Sequence, residues 1–260
     1  MEPLRGDTVT TLQGNLGYRC TMNQRTSHPL KSSPGAPVLS IVVPMLNEAE
    51  ALPELLAHLS IWRERGCEVV LVDGGSSDGS AQLARAARFK LIDSACGRGL
   101  QMNAGAAACH GEILLFLHAD TRLPDTAEVA VRCAMANAAR HWGRFDVRID
   151  GRPAMLRVVA AAMNLRSRLS GIATGDQAIF VRRTLFETVG GFPELALMED
   201  IALSARLRKH AWPVCLRARV RTCGRRWEQR GVWRTIVLMW RLRWAYWRGV
   251  PVERLAEAYK

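Results

Sequence analysis

Short apolar runs that stop abruptly on polar residues recur along the chain, separated by segments of helical period. The clearest is Ile113-Leu114-Leu115-Phe116-Leu117, bounded by Gly111 and followed by His118-Ala119-Asp120-Thr121 and Pro124. So short a run fits a buried strand better than a helix. The polar residues at its end have no place in a core. At the carboxyl end of a parallel strand they would face the crevice in which α/β sheets bind ligands. A turn and helix cap built on Asp120 or Thr121 would explain the same residues, so the run alone decides nothing.

The pattern repeats on both sides of this run. Ser40-Ile41-Val42-Val43 predicts a first strand stopped by Pro44, and Leu52, Leu55, Leu56 and Leu59 share one face of a helix over 50–62. Glu68-Val69-Val70-Leu71-Val72 predicts a second strand, which runs into Asp73-Gly74-Gly75-Ser76-Ser77-Asp78-Gly79-Ser80. A helix over 82–88, a strand at 89–92 and a small-residue helix over 100–109 lead to the run at 113 as the fourth strand. Strands alternating with helices predict a parallel sheet with right-handed crossovers, a Rossmann-like α/β half. The second half reads as mixed, with helices over 124–140, 153–169, 184–189 and 201–209 and strands at 142–149, 178–181 and 214–220. Within it, residues 142–149 alternate as a strand with one wet face would. Residues 1–37 lack periodicity and end in Ser32-Ser33-Pro34-Gly35-Ala36-Pro37, which reads as a flexible extension ahead of a domain over 38–225.

Candidate chemistry gathers where these strands end. Asp73 and Asp120 each follow a buried strand, and both should reach one edge of the sheet near Asn47 and Glu48. Unpaired buried carboxylates are costly, so such groups face a ligand, a cation or water. A hard divalent cation such as Mg²⁺ or Mn²⁺ takes one or two carboxylates together with substrate phosphates. Asp78, by contrast, reads as a helix cap.

Charge changes the picture in one place. The net charge is +12, and residues 201–260 hold fifteen Lys or Arg against three acids, so the last quarter carries the whole excess. That points to a local anionic partner such as lipid head groups, a nucleotide or nucleic acid. The seven cysteines are odd in number and scattered without a Cys-x-x-Cys pair, which argues against a disulfide framework or a zinc site and fits a reducing, cytoplasmic location. No apolar segment suggests a leader peptide or reaches the roughly 18 residues of a spanning helix.

Taken in order, Val43-Pro44-Met45-Leu46-Asn47-Glu48, Val72-Asp73-Gly74-Gly75-Ser76-Ser77-Asp78-Gly79, Arg98 with Asn103-Ala104-Gly105, and His118-Ala119-Asp120 resemble the successive motifs of a family 2 glycosyltransferase of GT-A fold. Gly190-Gly191-Phe192-Pro193-Glu194 and Met198-Glu199-Asp200 continue the series. The resemblance is greatest to small stand-alone bacterial members associated with arsenosugar or carotenoid-acid glycosylation. It implies that Pro44, Asn47, Glu48, Asp73, Arg98 and His118 bind a nucleoside-diphosphate sugar, with a UDP-sugar expected, and that Asp73 and Arg98 lie by the base. It implies that Asp120 holds Mg²⁺ or Mn²⁺, that Asp200 with Glu199 supplies the catalytic base, and that transfer inverts the sugar. Gly175, Asp176 and Gln177 would lie on the acceptor side. Arg225-Arg226-Trp227 resembles the Gln-x-x-Arg-Trp segment of chain-elongating relatives without its Gln, which implies diphosphate binding by Arg225 and Arg226 and acceptor stacking by Trp227. One departure stands out: the family's Asp-x-Asp is His118-Ala119-Asp120 here, so the first carboxylate is missing.

The segment over 226–260 reads as a helix with two apolar faces. Trp233, Ile236, Val237, Trp240, Trp244 and Trp247 fall on one, and Leu238, Met239 and Leu242 on the other. Arg234, Arg241 and Arg248 line one border, with Arg243 on the other. One face suits the catalytic core. The Trp/Arg face suits the inner surface of a membrane, where indoles and snorkelling arginines are favoured, and hence a lipid-linked or hydrophobic acceptor. Aromatics confined to one helical face, with no recognition module, disfavour nucleic acid. Two other readings fit the same residues: a nucleotidyltransferase, which would not need Asp200, and a non-catalytic sugar-nucleotide binder.

Overall fold

The computed structural model describes residues 38–259, so the extension expected over 1–37 lies outside the described residues. Strand β1 (Leu39–Met45) is followed by α1 (Leu52–Glu64), β2 (Glu68–Asp73), α2 (Ser80–Ala86), β3 (Lys90–Asp93), α3 (Arg98–Ala108) and β4 (Ile113–Phe116). These strands lie parallel, β3-β2-β1-β4, as one half of an eight-stranded sheet. Leu52, Leu55, Leu56 and Leu59 are buried with Trp62 against one sheet face, as the helical spacing predicts. On the other face α3 comes close because Gly105 has no side chain: a Cβ there would stand 2.4 Å from Val42 Cγ1.

Strand β1 does not stop at Pro44, which pairs with Val72. The Val42 carbonyl accepts from Leu117 on the β4 side, whereas Met45 O accepts from Gly74 on the β2 side. Pro44 shares the parity of Val42, so its missing N–H faces the side from which β4 has already departed, where no ladder bond is lost.

The remaining elements are β5 (Thr121–Arg122), α4 (Ala127–Met135), β6 (Trp142–Asp150), α5 (Met155–Ser170), a 3₁₀ turn (Gly175–Gln177), β7 (Phe180–Arg182), α6 (Arg183–Thr188), α7 (Glu199–Arg208), β8 (Val214–Cys223), α8 (Arg225–Arg230), α9 (Val232–Trp247) and α10 (Val252–Tyr259). The sheet continues β4-β7-β6-β8-β5, with β7 antiparallel to both neighbours and β6 parallel to β8. Two-residue β5, absent from the sequence pattern, pairs Thr121 with Thr222 and ties the end of the β4 loop to β8. The helix expected over 124–140 is shorter, Ala127–Met135.

The expected wet face of β6 is wet at Arg148 and Asp150 but dry in its first half. Arg144 is fully buried and Asp146 nearly so, because α5 covers them and supplies partners. Arg144 bonds to Asp146 through Nη1 and donates through Nη2 to Asn164 O at 3.0 Å. Arg168 donates to Asp146 Oδ2 at 2.7 Å, and Asn164 exchanges two bonds with the Val147 backbone. Alternation reports polarity, and polar side chains buried against bonding partners imitate a solvated face.

The last segment is three helices rather than one, broken at Gly231 and Gly249, whose φ is +80 at each. Leu242 and Leu255 form a small core with Met198 of the loop before α7, flanked by Leu197, Ile201, Leu238 and Met239. On the opposite side Trp233, Trp240, Trp244 and Trp247 are 61–80% exposed. Among the described residues no helix is long and apolar enough to cross a membrane.

Candidate active site

Three loops at the carboxyl ends of β1, β2 and β4 build the first wall. Asn47, held at φ +53, accepts from Ser77 N at 2.9 Å and donates its own N–H to the Ser76 hydroxyl at 2.9 Å. Glu48 N donates to Ser80 Oγ and Ala49 N to Asp78 Oδ2, so the β1 and β2 loops are zipped together. Asp78 also accepts from Ser80 N at 3.0 Å, but Gly79 is the residue that caps α2, so Asp78 turns the chain one residue ahead of the cap expected of it. Asp73, 5% exposed, accepts from Gly75 N, Ser76 N and the Ser76 hydroxyl. Its carboxylate therefore shapes the turn that carries Gly74 to Ser77. Beneath lies Gln101, which the sequence did not single out; its buried Nε2 donates to Met45 O and Val72 O, locking the ends of β1 and β2.

Helix α3 presents Arg98 from its first residue, and Asn103 fixes the next loop. Asn103 exchanges bonds with Phe192 N and O at 2.9 and 2.8 Å, which accounts for the pairing of its motif with Gly190-Gly191-Phe192. That loop delivers Glu199 and Asp200 at the start of α7. Arg98 Nη1 lies 3.4 Å from Glu199 Oε1. Burial opposes the Arg98 charge, but Glu199, Asp200 and Asp176 outweigh it and raise its pKa. Burial, then the Asp200 charge, raises Glu199 despite Arg98. Asp200 accepts from Gly175 N at 2.7 Å and from Ile201 N at 2.6 Å, so two amides set the direction of its carboxylate.

Asp120 stands exposed beyond β4, receiving one hydroxyl bond from Thr121 at 3.2 Å. Burial, then the Asp120 charge, raises the pKa of Glu48, while Arg225 and Arg98 lower it, so these groups share one field. Among the described residues no three His, Cys, Asp or Glu side chains form a ready-made metal cage. The open oxygens of Asp120 fit a hard cation whose coordination substrate phosphates complete, which is how Mg²⁺ sites are commonly built.

His118 takes the place of a first carboxylate. Its Nδ1 lies 3.3 Å from Asp176 Oδ1, and the ring covers Gly175, where a Cβ would come within 2.2 Å. Its Nε2 is buried without a hydrogen-bond partner. Burial would raise the Asp176 pKa, but the bond with His118 and the charges of Arg98 and Arg226 bring it below the usual value. Gln177 is fully buried and bonds Thr174 N and Asn164 Oδ1, so it holds the loop rather than facing the cleft. Arg226 lies in the field of Arg98, Asp176 and Asp120 and packs its guanidinium 4.6 Å from the Tyr259 ring centroid. Trp227 is half-buried against the main core.

Two cations not expected at the site carry charges that act on this cluster. Arg166 of α5 and Arg243 of α9 both sense Asp200, and each has its pKa lowered first by burial, Arg166 to about 10. The sequence placed Arg243 only on a helix border. Nothing in the local pattern distinguishes Arg166 from its surface neighbours.

Comparison with known proteins places this geometry. The pattern described as Glycosyl transferase family 2 matches residues 40–167. The chain is similar to an undecaprenyl-phosphate 4-deoxy-4-formamido-L-arabinose transferase of Pseudomonas fluorescens (strain SBW25), 34% identical over 97 residues, 33% of this chain and 28% of that protein. It is also similar to a PGL/p-HBAD biosynthesis glycosyltransferase of Mycobacterium bovis (strain BCG / Pasteur 1173P2), 32% identical over 164 residues, 60% of this chain and 64% of that one. The chain thus spans less than two thirds of either relative, and neither name mentions an arsenosugar or carotenoid acid. Among solved structures it is similar to the mannosyltransferase PcManGT from Pyrobaculum calidifontis in complex with GDP-Man and Mn²⁺, with a TM-score of 0.54 and 22% identity over 72% of this chain and 56% of that one. A second is S. aureus TarS 1-349 in complex with UDP-GlcNAc, with a TM-score of 0.57 and 20% identity over 71% and 58%.

Proposed function

Given that the chain belongs to glycosyl transferase family 2 and has the GT-A fold, we propose that it is an inverting glycosyltransferase that moves a sugar from a nucleoside-diphosphate donor to an acceptor hydroxyl or carboxyl. One observation carries the reading: an exposed Asp120 and an amide-oriented Asp200 flank a single cluster of arginines, Arg98, Arg225 and Arg226. Displacing a diphosphate requires its growing charge to be neutralised where it develops. Guanidiniums do this by fixed electrostatics, and their forked donors match phosphate oxygens. Mg²⁺ or Mn²⁺ on Asp120 would add Lewis-acid stabilisation of the leaving diphosphate when bound. Asp200 would take the proton of an acceptor hydroxyl as it attacks. Its two backbone bonds keep the carboxylate aimed, and Glu199 holds Arg98 beside it. A nucleotidyltransferase or a simple binder has no use for Asp200.

The donor side is tested with a panel of nucleoside-diphosphate sugars in Mn²⁺ or Mg²⁺, reading binding and slow hydrolysis. We expect a UDP-sugar to bind in a metal-dependent way; UDP-GlcNAc is bound in the TarS complex, and GDP-Man is bound together with Mn²⁺ in the PcManGT complex. Asp120→Ala should lose the response to metal and with it at least about tenfold in donor affinity, because the donor phosphates would lose the cation that Asp120 would hold against them. Metal-independent binding that Asp120→Ala leaves intact would sink this assignment.

The acceptor is proposed to be hydrophobic or lipid-linked and met at the inner face of a membrane. The exposed indoles of α9, bordered by Arg234, Arg241 and Arg248, support this. Anionic vesicles should bind the chain more tightly than neutral ones. Trp240→Ala with Trp244→Ala should weaken that binding by about tenfold or more, since half-burying one indole is worth roughly 1–2 kcal/mol. Equal retention of the parent and double variant on anionic vesicles would remove the membrane role.

A further inference from the structure

We infer that His118 is a positioning residue rather than a ligand of the nucleotide sugar: its ring holds Gly175 where the Gly175 amide aims Asp200. It rests on the transferase reading, in which Asp200 is the base. Neither ring nitrogen is open to a nucleotide. Nδ1 lies 3.3 Å from Asp176 Oδ1, and because a carboxylate only accepts, this nitrogen donates. Nε2 then carries the lone pair, and it is sealed from solvent with no partner. What the ring touches is backbone. A Cβ on Gly175 would stand 2.2 Å from both Cε1 and Nε2, so the ring meets this residue more closely than any side chain would allow. A buried polar atom left without a partner is costly and rare in a fold. Here that cost keeps a flat ring pressed on Gly175.

Of the two amides that Asp200 accepts from, one belongs to its own helix. Ile201 N is the next residue of α7, and its 2.6 Å bond travels with the carboxylate. Gly175 N, at 2.7 Å, supplies the reference from outside α7. The turn that carries Gly175 has other anchors, Ala173 on the Ser204 hydroxyl and Gln177 on Asn164. Loss of the ring would therefore loosen Gly175 without unfolding its turn. On the other side, Thr121 N donates to His118 O at 3.0 Å and closes a turn that contains Asp120. The residue proposed to meet the cation and the residue that steadies the base thus belong to one turn. An imidazole in place of the motif's first carboxylate ties the diphosphate end of the site to its proton-accepting end.

The first test needs no ligand. The full chain labelled with ¹³C-threonine and ¹⁵N-glycine isolates the amide of Gly175, because Thr174-Gly175 is the only Thr-Gly step in the sequence. Its bond to a carboxylate should set this resonance far downfield. His118→Ala should move it upfield, as Asp200→Asn does, and speed its hydrogen exchange by about tenfold or more. His118→Asn keeps a donor for Asp176 but no ring over Gly175, so it should share the defect and serves as the second variant if circular dichroism shows His118→Ala unfolded. An unmoved Gly175 resonance in either folded variant would overturn the proposal. The second test follows slow hydrolysis of UDP-glucose, UDP-GlcNAc and GDP-mannose in Mn²⁺. Either variant should lose about 10- to 100-fold in kcat, the range expected when a reacting group is misplaced by about 1 Å. KM should stay within about threefold, because ground-state binding makes no use of the ring. A raised KM at unchanged kcat would make His118 a ligand of the nucleotide sugar and overturn the proposal. Hydrolysis of none of the three by the parent would fault the transferase reading, and the Gly175 resonance would still decide what the ring holds.

Discussion

Asp200→Asn should lower the rate of sugar transfer by about 10²- to 10⁴-fold, the range expected when a positioned general base is removed. The substitution is close to isosteric and retains one carbonyl oxygen. The 2.7 Å bond from Gly175 N can therefore persist, and the loop that places His118 and Asp176 should stay in register. What is lost is the group that takes the proton. The defect should appear in kcat, with UDP affinity changed by less than about threefold, because an interaction used only in the transition state leaves ground-state binding alone. Transfer at an undiminished rate would remove Asp200 from the chemistry and leave a binding protein as the better description. A fall confined to KM would instead make Asp200 part of acceptor recognition.

The largest effect on stability is expected at Arg144. Its guanidinium is fully buried, bonded to Asp146 and to Asn164 O, under α5. Arg144→Ala leaves the Asp146 carboxylate buried with Arg168 as its remaining cation. Breaking a buried pair from one side costs about 3–5 kcal/mol, and the surviving Arg168 bond favours the lower end. Denaturant unfolding with unchanged m-value would report it. The double variant Arg144→Met with Asp146→Leu should recover much of the loss, since a well-packed apolar pair is often as stable as the ions it replaces. A loss under about 1 kcal/mol for the single variant would mean that water reaches this pair.

The parallel half of the fold was legible because its strands are short apolar runs and its helices repeat with a 3.6 period. Leu52 to Leu59 and Ile113 to Phe116 lie where that arithmetic puts them. The mixed half was less legible for two reasons. Strand β6 buries the charged residues of its first half, Arg144 and Asp146, which no hydropathy pattern distinguishes from the wet ones that follow. Strand β5 is two residues long and exists only through its pairing across 101 residues of chain. Of the site, the residues at strand ends were readable as exposed polar punctuation, and Asp120 and Glu48 do share one field. Asp73 was readable as polar at a strand end, but its bonds go to its own turn. Gln101, Arg166 and Arg243 carried no signal. Each acts through partners distant in sequence, Gln101 through carbonyls 56 and 29 residues away.

The helices after β8 begin with Arg225 and Arg226. Leu242 and Leu255 close over Met198, two residues before Asp200, and Tyr259 lies against Arg226. A chain shortened at 225 would therefore be no minimal catalytic unit. It would uncover the approach to α7 and discard Arg226, Arg243 and the indole face together. Grafting another tail onto residues 38–225 to redirect the enzyme to a different surface would, for the same reason, rewrite its acceptor wall. On the reading proposed above, a single helix would set both where the enzyme acts and what it accepts, so that neither could be exchanged alone.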